Sequence, residues 1–255
     1  MHMLGIAFDI DDTLYDLADP YRTALRDCFG PLPGVSASEL FAANLRHFDK
    51  TYERARAGEL AMDDMFAHRQ LSAFAEQGMS ISLEEALSFQ RVYRDLQCRI
   101  SLTPLMRGLL DDLAHAGARL GVVSNGYSDN QWRKVRTLGL TQWFAPEAIV
   151  VSEDVGVAKP DRRIFDMAAG RMGTDPSTSW FVGDAARNDV DGAAAAGWRT
   201  IWFDRGRGAG EPSRRAADLR VGSEEELAGV VRGLLGRDCG PNARARTAPG
   251  AIKEA

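Results

Sequence analysis

Cysteine is scarce in this sequence. Cys28, Cys98 and Cys239 are far apart and odd in number, which argues against a disulfide framework or a thiolate zinc site and predicts reduced thiols. Histidine is almost as rare: His2, His47, His68 and His115 show no metal-ligand spacing and read as surface or packing residues. No apolar run approaches the length needed to span a bilayer. Positive charge is not in excess either, with 31 Lys and Arg against 36 Asp and Glu and a net charge of −5, so neither nucleic acid nor an anionic membrane is expected as a partner. No basic segment precedes the first apolar run, so export is not expected and a cytoplasmic protein is. Lysine itself is nearly missing: Lys50, Lys134, Lys159 and Lys253 stand among many arginines.

What is present suits a globular chain of 255 residues, enough for one large α/β domain or a core with a smaller insert. Residues 4–8 read as a buried strand. Residues 16–100 are helical and strand-poor. Asp19 and Pro20 look like N-cap and N1 of a first helix, and Pro31, Pro33 and Gly34 break it. Leu40, Phe41, Leu45, Phe48 and Tyr52 mark a second helix, and Met65, Phe66 and Phe74 a third ending near Gly78. Ser82 followed by Glu85 is a capping start for a fourth. After Thr103-Pro104 the rhythm changes to strands near 120–123, 148–151, 180–182 and 200–203 separated by helices. That alternation predicts a doubly wound, Rossmann-like parallel sheet made of residues 1–15 and 101–236, with 16–100 as an inserted helical cap. Residues 206–212 read as a flexible loop, 223–235 as a closing helix, and 237–255 as a disordered tail.

Chemistry gathers at the strand ends, where open α/β sheets bind ligands. The first strand runs into Asp9-Ile10-Asp11-Asp12-Thr13. A carboxylate at Asp9 can attack phosphorus, and Asp11 can protonate the departing alkoxide and then activate water. An acidic turn capped by Thr13 is the plain alternative. Ser124-Asn125-Gly126 follows the second strand, offering a hydroxyl and backbone N–H groups to phosphoryl oxygens, with Gly126 letting the backbone come close. Lys159 precedes Pro160, read as the first residue of a helix. A lysine is poorly placed against a helix dipole, so its charge is better explained by neutralising a nucleophile and a transferring phosphoryl group. Gly183-Asp184 ends a fourth strand and leads to Asn188-Asp189. Asp184 can share a hard cation with Asp9, Asp189 can orient a metal-bound water or the lysine, and Mg²⁺ suits such oxygen ligands.

Taken in order, these four segments resemble the motifs of the haloacid dehalogenase-like hydrolase superfamily, whose members are mostly phosphatases. The resemblance implies Asp9 as nucleophile, Asp11 as acid/base, and Ser124, Asn125 and Lys159 as phosphate ligands. It implies Mg²⁺ held by Asp9, Asp184 and the backbone carbonyl of Asp11, with Thr13, Gly126, Asn188 and Asp189 supporting. It also implies a helical cap between the first and second motifs. A cap that closes over the site favours small phosphomonoesters, such as a sugar phosphate or nucleoside monophosphate, over phosphoproteins. Tyr15, Tyr21, Arg54, Arg56, His68, Arg69 and Arg94 are its candidate substrate contacts.

Rival readings remain open at this point. A haloacid dehalogenase of the same superfamily needs neither Asp11 nor a metal ligand at Asp184. A phosphomutase shares every core residue named. A signalling receiver domain is about half this length and carries its phosphoacceptor on a later strand. An inactive phosphate-binding scaffold would have no use for Asp11 beside Asp9.

Overall fold

The computed structural model describes residues 3–56, 58–207 and 214–235. Six parallel strands form one sheet: β1 (Gly5–Phe8), β2 (Arg119–Ser124), β3 (Ile149–Val151), β4 (Ser179–Gly183), β5 (Arg199–Phe203) and β6 (Leu219–Val221), in the spatial order β3-β2-β1-β4-β5-β6. The chain builds outward from β1 to β3, then crosses to the other side of β1 to lay down β4. That reversal opens a crevice at the carboxyl ends of β1 and β4. Register brings the functional segments level. Phe8 lies beside Val122 on one side and Val182 on the other, so Asp9, Ser124 and Gly183-Asp184 emerge at one edge.

Alternation along the strands splits the sheet into two apolar faces, as a period of two requires. Ile6, Phe8, Val122, Trp180 and Val182 join one core; Ala7, Val123 and Phe181 join the other. Helices α5 (Pro104–His115), α6 (Ser128–Leu138) and α10 (Glu224–Leu235) cover the first face. The second is covered by α8 (Arg162–Met172) and α9 (Gly192–Ala195), while the one-turn α7 (Ser152–Val155) follows β3. Between β1 and α5 lie α1 (Ala18–Phe29), α2 (Ala37–Arg56), α3 (Met62–Glu76) and α4 (Leu83–Leu96). This helical insert has its own core, in which Tyr21, Phe41, Phe74, Phe89 and Tyr93 are packed ring to ring.

Local signals account for most boundaries. Ser82 and Glu85 form a reciprocal capping box at α4, and Thr103 accepts from the Met106 N–H with Pro104 in the first turn of α5. Three features differ from expectation. Helix α1 starts at Ala18, because the Asp16 carboxylate accepts the Ala18 N–H at 2.8 Å and so satisfies the helix start before Asp19 is reached. Pro20 then sits in the first turn, where its missing donor costs nothing. Helix α8 starts at Arg162 rather than Pro160, since Asp161 caps it through the Arg163 N–H at 2.9 Å. Lys159 is therefore not a helix-start residue, and the dipole argument does not explain its placement. Strand β6 has only three residues and carries Arg220 at its centre, too short and too polar a run to show in the periodicity. The expected tail at 237–255 and residues 208–212 of the expected loop lie outside the described residues.

Candidate active site

Asp9 leaves the end of β1 with its N–H on the Val182 carbonyl at 2.9 Å, which fixes the backbone against β4. Lys159 Nζ donates to Asp9 Oδ1 at 2.6 Å and lies 2.7 Å from Asp189 Oδ1. All three side chains are buried. Asn125 holds the lysine in place: its Nδ2 donates to the Lys159 carbonyl at 2.9 Å and its Oδ1 accepts the Lys159 N–H at 2.8 Å. The Asn125 side chain is thus committed to the loop that carries Lys159. Gly126 N–H is likewise engaged, donating to Ser152 Oγ at 3.0 Å. The Ser124 hydroxyl, by contrast, is buried with no hydrogen-bond partner among the described residues, and Ser124 lines the site cavity.

On the β4 side, one carboxylate oxygen from each of Asp9, Asp184 and Asp189 falls within 4.8 Å of the others. The turn after β4 is π-helical over Ala186–Asp191, and Asp189 accepts the Ala185 N–H at 2.9 Å across it. A side chain at Gly183 would collide with the Asp189 carboxylate, so only glycine lets the strand end pass this close. The Asp184 carbonyl is anchored by the Trp202 indole N–H at 2.9 Å.

Crowding has electrostatic consequences. Burial drives the Asp9 carboxyl up to about 7, against the pull of Lys159, with Asp189 and Asp11 adding to the rise. Asp184 is pushed well above the ordinary carboxylate range by desolvation and by Asp189, Asp12 and Asp9. Lys159 is also buried, yet Asp189 and Asp9 raise it above the usual lysine value and hold it charged. The site carries more carboxylates than one lysine offsets, which is the donor set that a hard divalent cation requires.

Asp11 occupies a different setting. Burial raises its carboxyl, but Lys134, Tyr15 and Gln131 outweigh that and hold it below the ordinary value. Lys134 Nζ lies 2.7 and 2.6 Å from its two oxygens, the Tyr15 hydroxyl donates at 2.5 Å, and Gln131 Nε2 donates at 3.1 Å. Lys134 and Gln131 sit one turn apart on α6. Neither was among the residues picked from the sequence, although Lys134 belongs to the same short set of lysines that drew attention to Lys159. Asp12 takes φ 57° at the cavity's edge, its carboxylate paired with Arg207 and its carbonyl accepting from Arg205 Nε at 2.8 Å.

These groups form the floor of a cavity of about 220 Å³. Asp9, Asp11, Ser124, Asn125, Gly126, Lys159, Asp184, Asn188 and Asp189 all line it; Thr13 is buried and does not. The helical insert supplies the facing wall, including Asn44, Phe66, Arg69, Gln90, Tyr93 and Arg94. Of the insert residues expected to contact substrate, Arg69 and Arg94 reach the cavity. Tyr15 turns to Asp11, Tyr21 bonds Gln70, and His68 and Arg54 are exposed. The Arg56 side chain lies outside the described residues.

Comparison with known proteins agrees with this geometry. The haloacid dehalogenase-like hydrolase family matches residues 3–197. The chain is 30% identical to a phosphoserine phosphatase of Thermus thermophilus over 246 residues, covering 87% of this chain and 96% of that protein. It is 31% identical to a glyceraldehyde 3-phosphate phosphatase of Methanothermobacter thermautotrophicus over 204 residues, or 77% and 84% of the two chains. Among solved structures, the magnesium-bound HAD-hydrolase YfnB of Bacillus subtilis shares the fold with a TM-score of 0.66 at 23% identity, covering 91% of this chain and 99% of that one. With four motifs at one sheet edge and a family match over most of its length, this chain belongs to the haloacid dehalogenase-like hydrolases.

Proposed function

We propose that the protein is a Mg²⁺-dependent hydrolase of small phosphomonoesters that works through a phosphorylated Asp9. The observation that carries this reading is the single cavity that holds Asp9, the Asp184–Asp189 carboxylates, Lys159 and the Ser124 hydroxyl, with Asp11 beside them. A dehalogenation site would need neither a second acid at Asp11 nor three converging carboxylates.

The nucleophile is Asp9. As its oxygen bonds to phosphorus, the ester P–O bond breaks and the alcohol departs with a proton supplied by Asp11. Water then gives a proton to Asp11 as its oxygen bonds to phosphorus, and the Asp9–phosphorus bond breaks to release inorganic phosphate. Lys134 contacts both Asp11 oxygens and the free carboxyl is held ionised, so the proton that Asp11 gives the alcohol is drawn from the lysine ammonium it is bonded to, and the one Asp11 takes from water returns there. Ser124 and Lys159 hold the phosphoryl oxygens, and Asn125 positions Lys159 for this. Asp9, Asp184 and the Asp11 carbonyl would hold Mg²⁺, with Asp189 and Asn188 in support. The bound ion would supply charge to balance the clustered carboxylates and the incoming phosphate.

The helical insert, residues 16–100, acts as the cap that closes over the ester, and residues 1–15 with 101–236 are the catalytic core. A cavity of about 220 Å³ suits a small phosphorylated metabolite, such as a sugar phosphate or nucleoside monophosphate, better than a protein loop. We infer a cytoplasmic location; among the described residues no helix is long and apolar enough to cross a membrane, and Cys28 and Cys98 are free.

The direct test is turnover of an aryl phosphate with and without Mg²⁺. Activity is expected to vanish in chelator and return with Mg²⁺, and Asp184→Ala should weaken both metal affinity and rate. Full activity in excess chelator, or release of halide from a 2-haloacid without phosphatase activity, would overturn the proposal.

A further inference from the structure

The cavity has two chemically distinct sides. Its acidic lining residues, Asp9, Asp11, Asp12, Asp184 and Asp189, all belong to the core segments. The part contributed by α2, α3 and α4 holds neutral amides, aromatic rings and two guanidinium groups, Arg69 and Arg94, and among the described lining residues no carboxylate. Phosphate binding and transfer on the floor do not use this second pair of cations.

Arg69 is built in rather than draped over the surface. It is 7% exposed, unusual for an arginine, and burial pulls its guanidinium below the ordinary arginine value. A chain of hydrogen bonds through neutral side chains crosses the insert's interior and meets the Arg69 guanidinium at Gln90. The Tyr21 hydroxyl donates to Gln70 Oε1 at 3.2 Å, and Gln70 Nε2 donates to Gln90 Oε1 at 3.1 Å. The same Gln90 oxygen accepts Arg69 Nη2 at 3.0 Å. Phe66 adds a second constraint, because the Arg69 and Arg94 guanidinium carbons lie 4.9 and 5.4 Å from the centre of its ring. One aromatic ring thus gathers two cations at the same end of the cavity wall. Two guanidinium groups held at one end of the cavity can meet an arriving anion through charge-assisted hydrogen bonds. Planar forks of this kind match carboxylate and phosphate oxygens.

We propose that Arg69 and Arg94 form a second anion subsite, and that the substrate is a small phosphomonoester whose leaving alcohol carries a carboxylate or a second phosphate. This rests on the phosphomonoesterase reading above and narrows it. Within the small metabolites that fit the cavity, phosphorylated acids and sugar bisphosphates are favoured over nucleoside monophosphates and simple sugar phosphates, whose leaving groups are neutral. Gln90 is a positioning residue here: it sets the plane of the Arg69 fork.

The test uses matched esters with the Mg²⁺-loaded protein. Hydrolysis of sn-glycerol 3-phosphate is compared with that of 3-phosphoglycerate, and fructose 6-phosphate with fructose 1,6-bisphosphate. The first pair tests a carboxylate and the second a phosphate. At least one ester with an anionic leaving group is expected to exceed its counterpart with a neutral leaving group tenfold or more in kcat/KM, mostly through KM, and Arg69→Gln and Arg94→Gln should each shrink that ratio at least fivefold. Binding of the same four esters to the Asp9→Asn protein, measured calorimetrically, supplies a readout independent of turnover. A binding preference for the esters with an anionic leaving group that Arg69→Gln erases, without hydrolysis of any ester by the wild-type protein, would sink the phosphatase reading and keep the subsite. Brisk hydrolysis with no preference in either pair, or a preference unchanged by both substitutions, would overturn the subsite and leave the phosphatase reading intact.

Discussion

The floor and the wall of the cavity solve opposite problems. The floor packs Asp9, Asp184 and Asp189 around one lysine, an arrangement that is unfavourable until a cation and a phosphoryl group arrive. The wall buries Arg69 beside a second guanidinium, Arg94, at the cavity edge, where an arriving anion can meet both. Each side is held in place by rigid scaffolding: strand ends and an Asn125 clamp for the floor, a buried amide relay for the wall. The difference teaches where chemistry and choice reside. On the proposed reading, groups that make and break bonds sit on the sheet, and groups that select the leaving alcohol sit on the insert.

The sharpest break between the two sides is Asp9→Ala. Removing the nucleophile should lower kcat by about 10⁴-fold or more while the protein still unfolds cooperatively, because the change relieves rather than adds repulsion. Rates within tenfold of wild type on an aryl phosphate would defeat the phospho-Asp9 mechanism.

Lys159→Met comes next. It strips the floor of the cation that Asp9 and Asp189 share, and about 10²–10³-fold in kcat should go with it. Two buried carboxylates lose their partner, so stability without Mg²⁺ should drop by about 3–5 kcal/mol. Chemical denaturation with and without Mg²⁺ measures this; a drop no larger than about 0.5 kcal/mol without the metal would show that Lys159 does not hold the floor together.

Lys134→Met probes the boundary between chemistry and support. Lys134 holds both Asp11 oxygens and relays their proton, so its loss lets the Asp11 carboxyl rise but also frees it from the geometry in which it delivers that proton, and the loss of geometry is expected to dominate. The expected loss in kcat is about 10–100-fold with an alkyl phosphate and less with an aryl phosphate, whose leaving group needs little protonation. Equal losses with both esters would mean that Lys134 only braces the fold.

Much of this arrangement was legible in the residues. Asp9, Asp11, Ser124 and Asp184 could be placed at one sheet edge because each lies at or just past the end of a short apolar run, and parallel strands carry their ends to a common side. Lys159 stands out only by its rarity and by an expected helix start that in fact lies at Arg162. Insert helices were legible from apolar spacing and from the Ser82–Glu85 box. Less legible were features that depend on long-range partners. Lys134 looks like any exposed helix lysine until α6 brings it to Asp11, and the hold of the Asn125 amide on the Lys159 backbone shows only once the two loops meet. The gathering of Arg69 and Arg94 around Phe66 is a matter of α3 meeting α4, which a single helix pattern does not encode.

A smaller effect follows from the charge state of the floor. In the metal-free protein Asp9 titrates near 7 and Asp184 well above its ordinary value, whereas both titrate near 4 when unfolded. Between about pH 5 and 7 these two groups hold more protons in the folded chain than in the unfolded one, and their contribution to stability falls as pH rises, by up to about 1.4 kcal/mol per unit for each. Carboxyls lowered on folding, such as Asp11 and Asp16, act oppositely but mainly below that window. Mg²⁺ should flatten or reverse that slope by favouring the ionised carboxylates. Thermal melts at pH 5, 6 and 7 with chelator and with Mg²⁺ would show it, and a metal-free protein more stable at pH 7 than at pH 5 would contradict the account of the floor.

On the wall, the corresponding change is gentle. Tyr21→Phe removes the hydroxyl that starts the relay to Gln70 and Gln90 but keeps the ring, whose centre lies 5.1–5.4 Å from those of Phe89, Phe41 and Tyr93. One buried hydrogen bond is lost, and Gln70 Oε1 loses a donor, so stability should fall by about 1 kcal/mol. Tyr21 does not line the cavity, and aryl phosphate turnover should stay within twofold of wild type because such an ester places nothing against Arg69. The esters with an anionic leaving group are the sensitive probe: their KM should rise a few-fold as the Arg69 fork loosens, with kcat unchanged. A fall in kcat for every ester alike would mean that the relay reaches the floor after all, and that the division between bond-making and selecting surfaces is not as clean as their chemistry indicates.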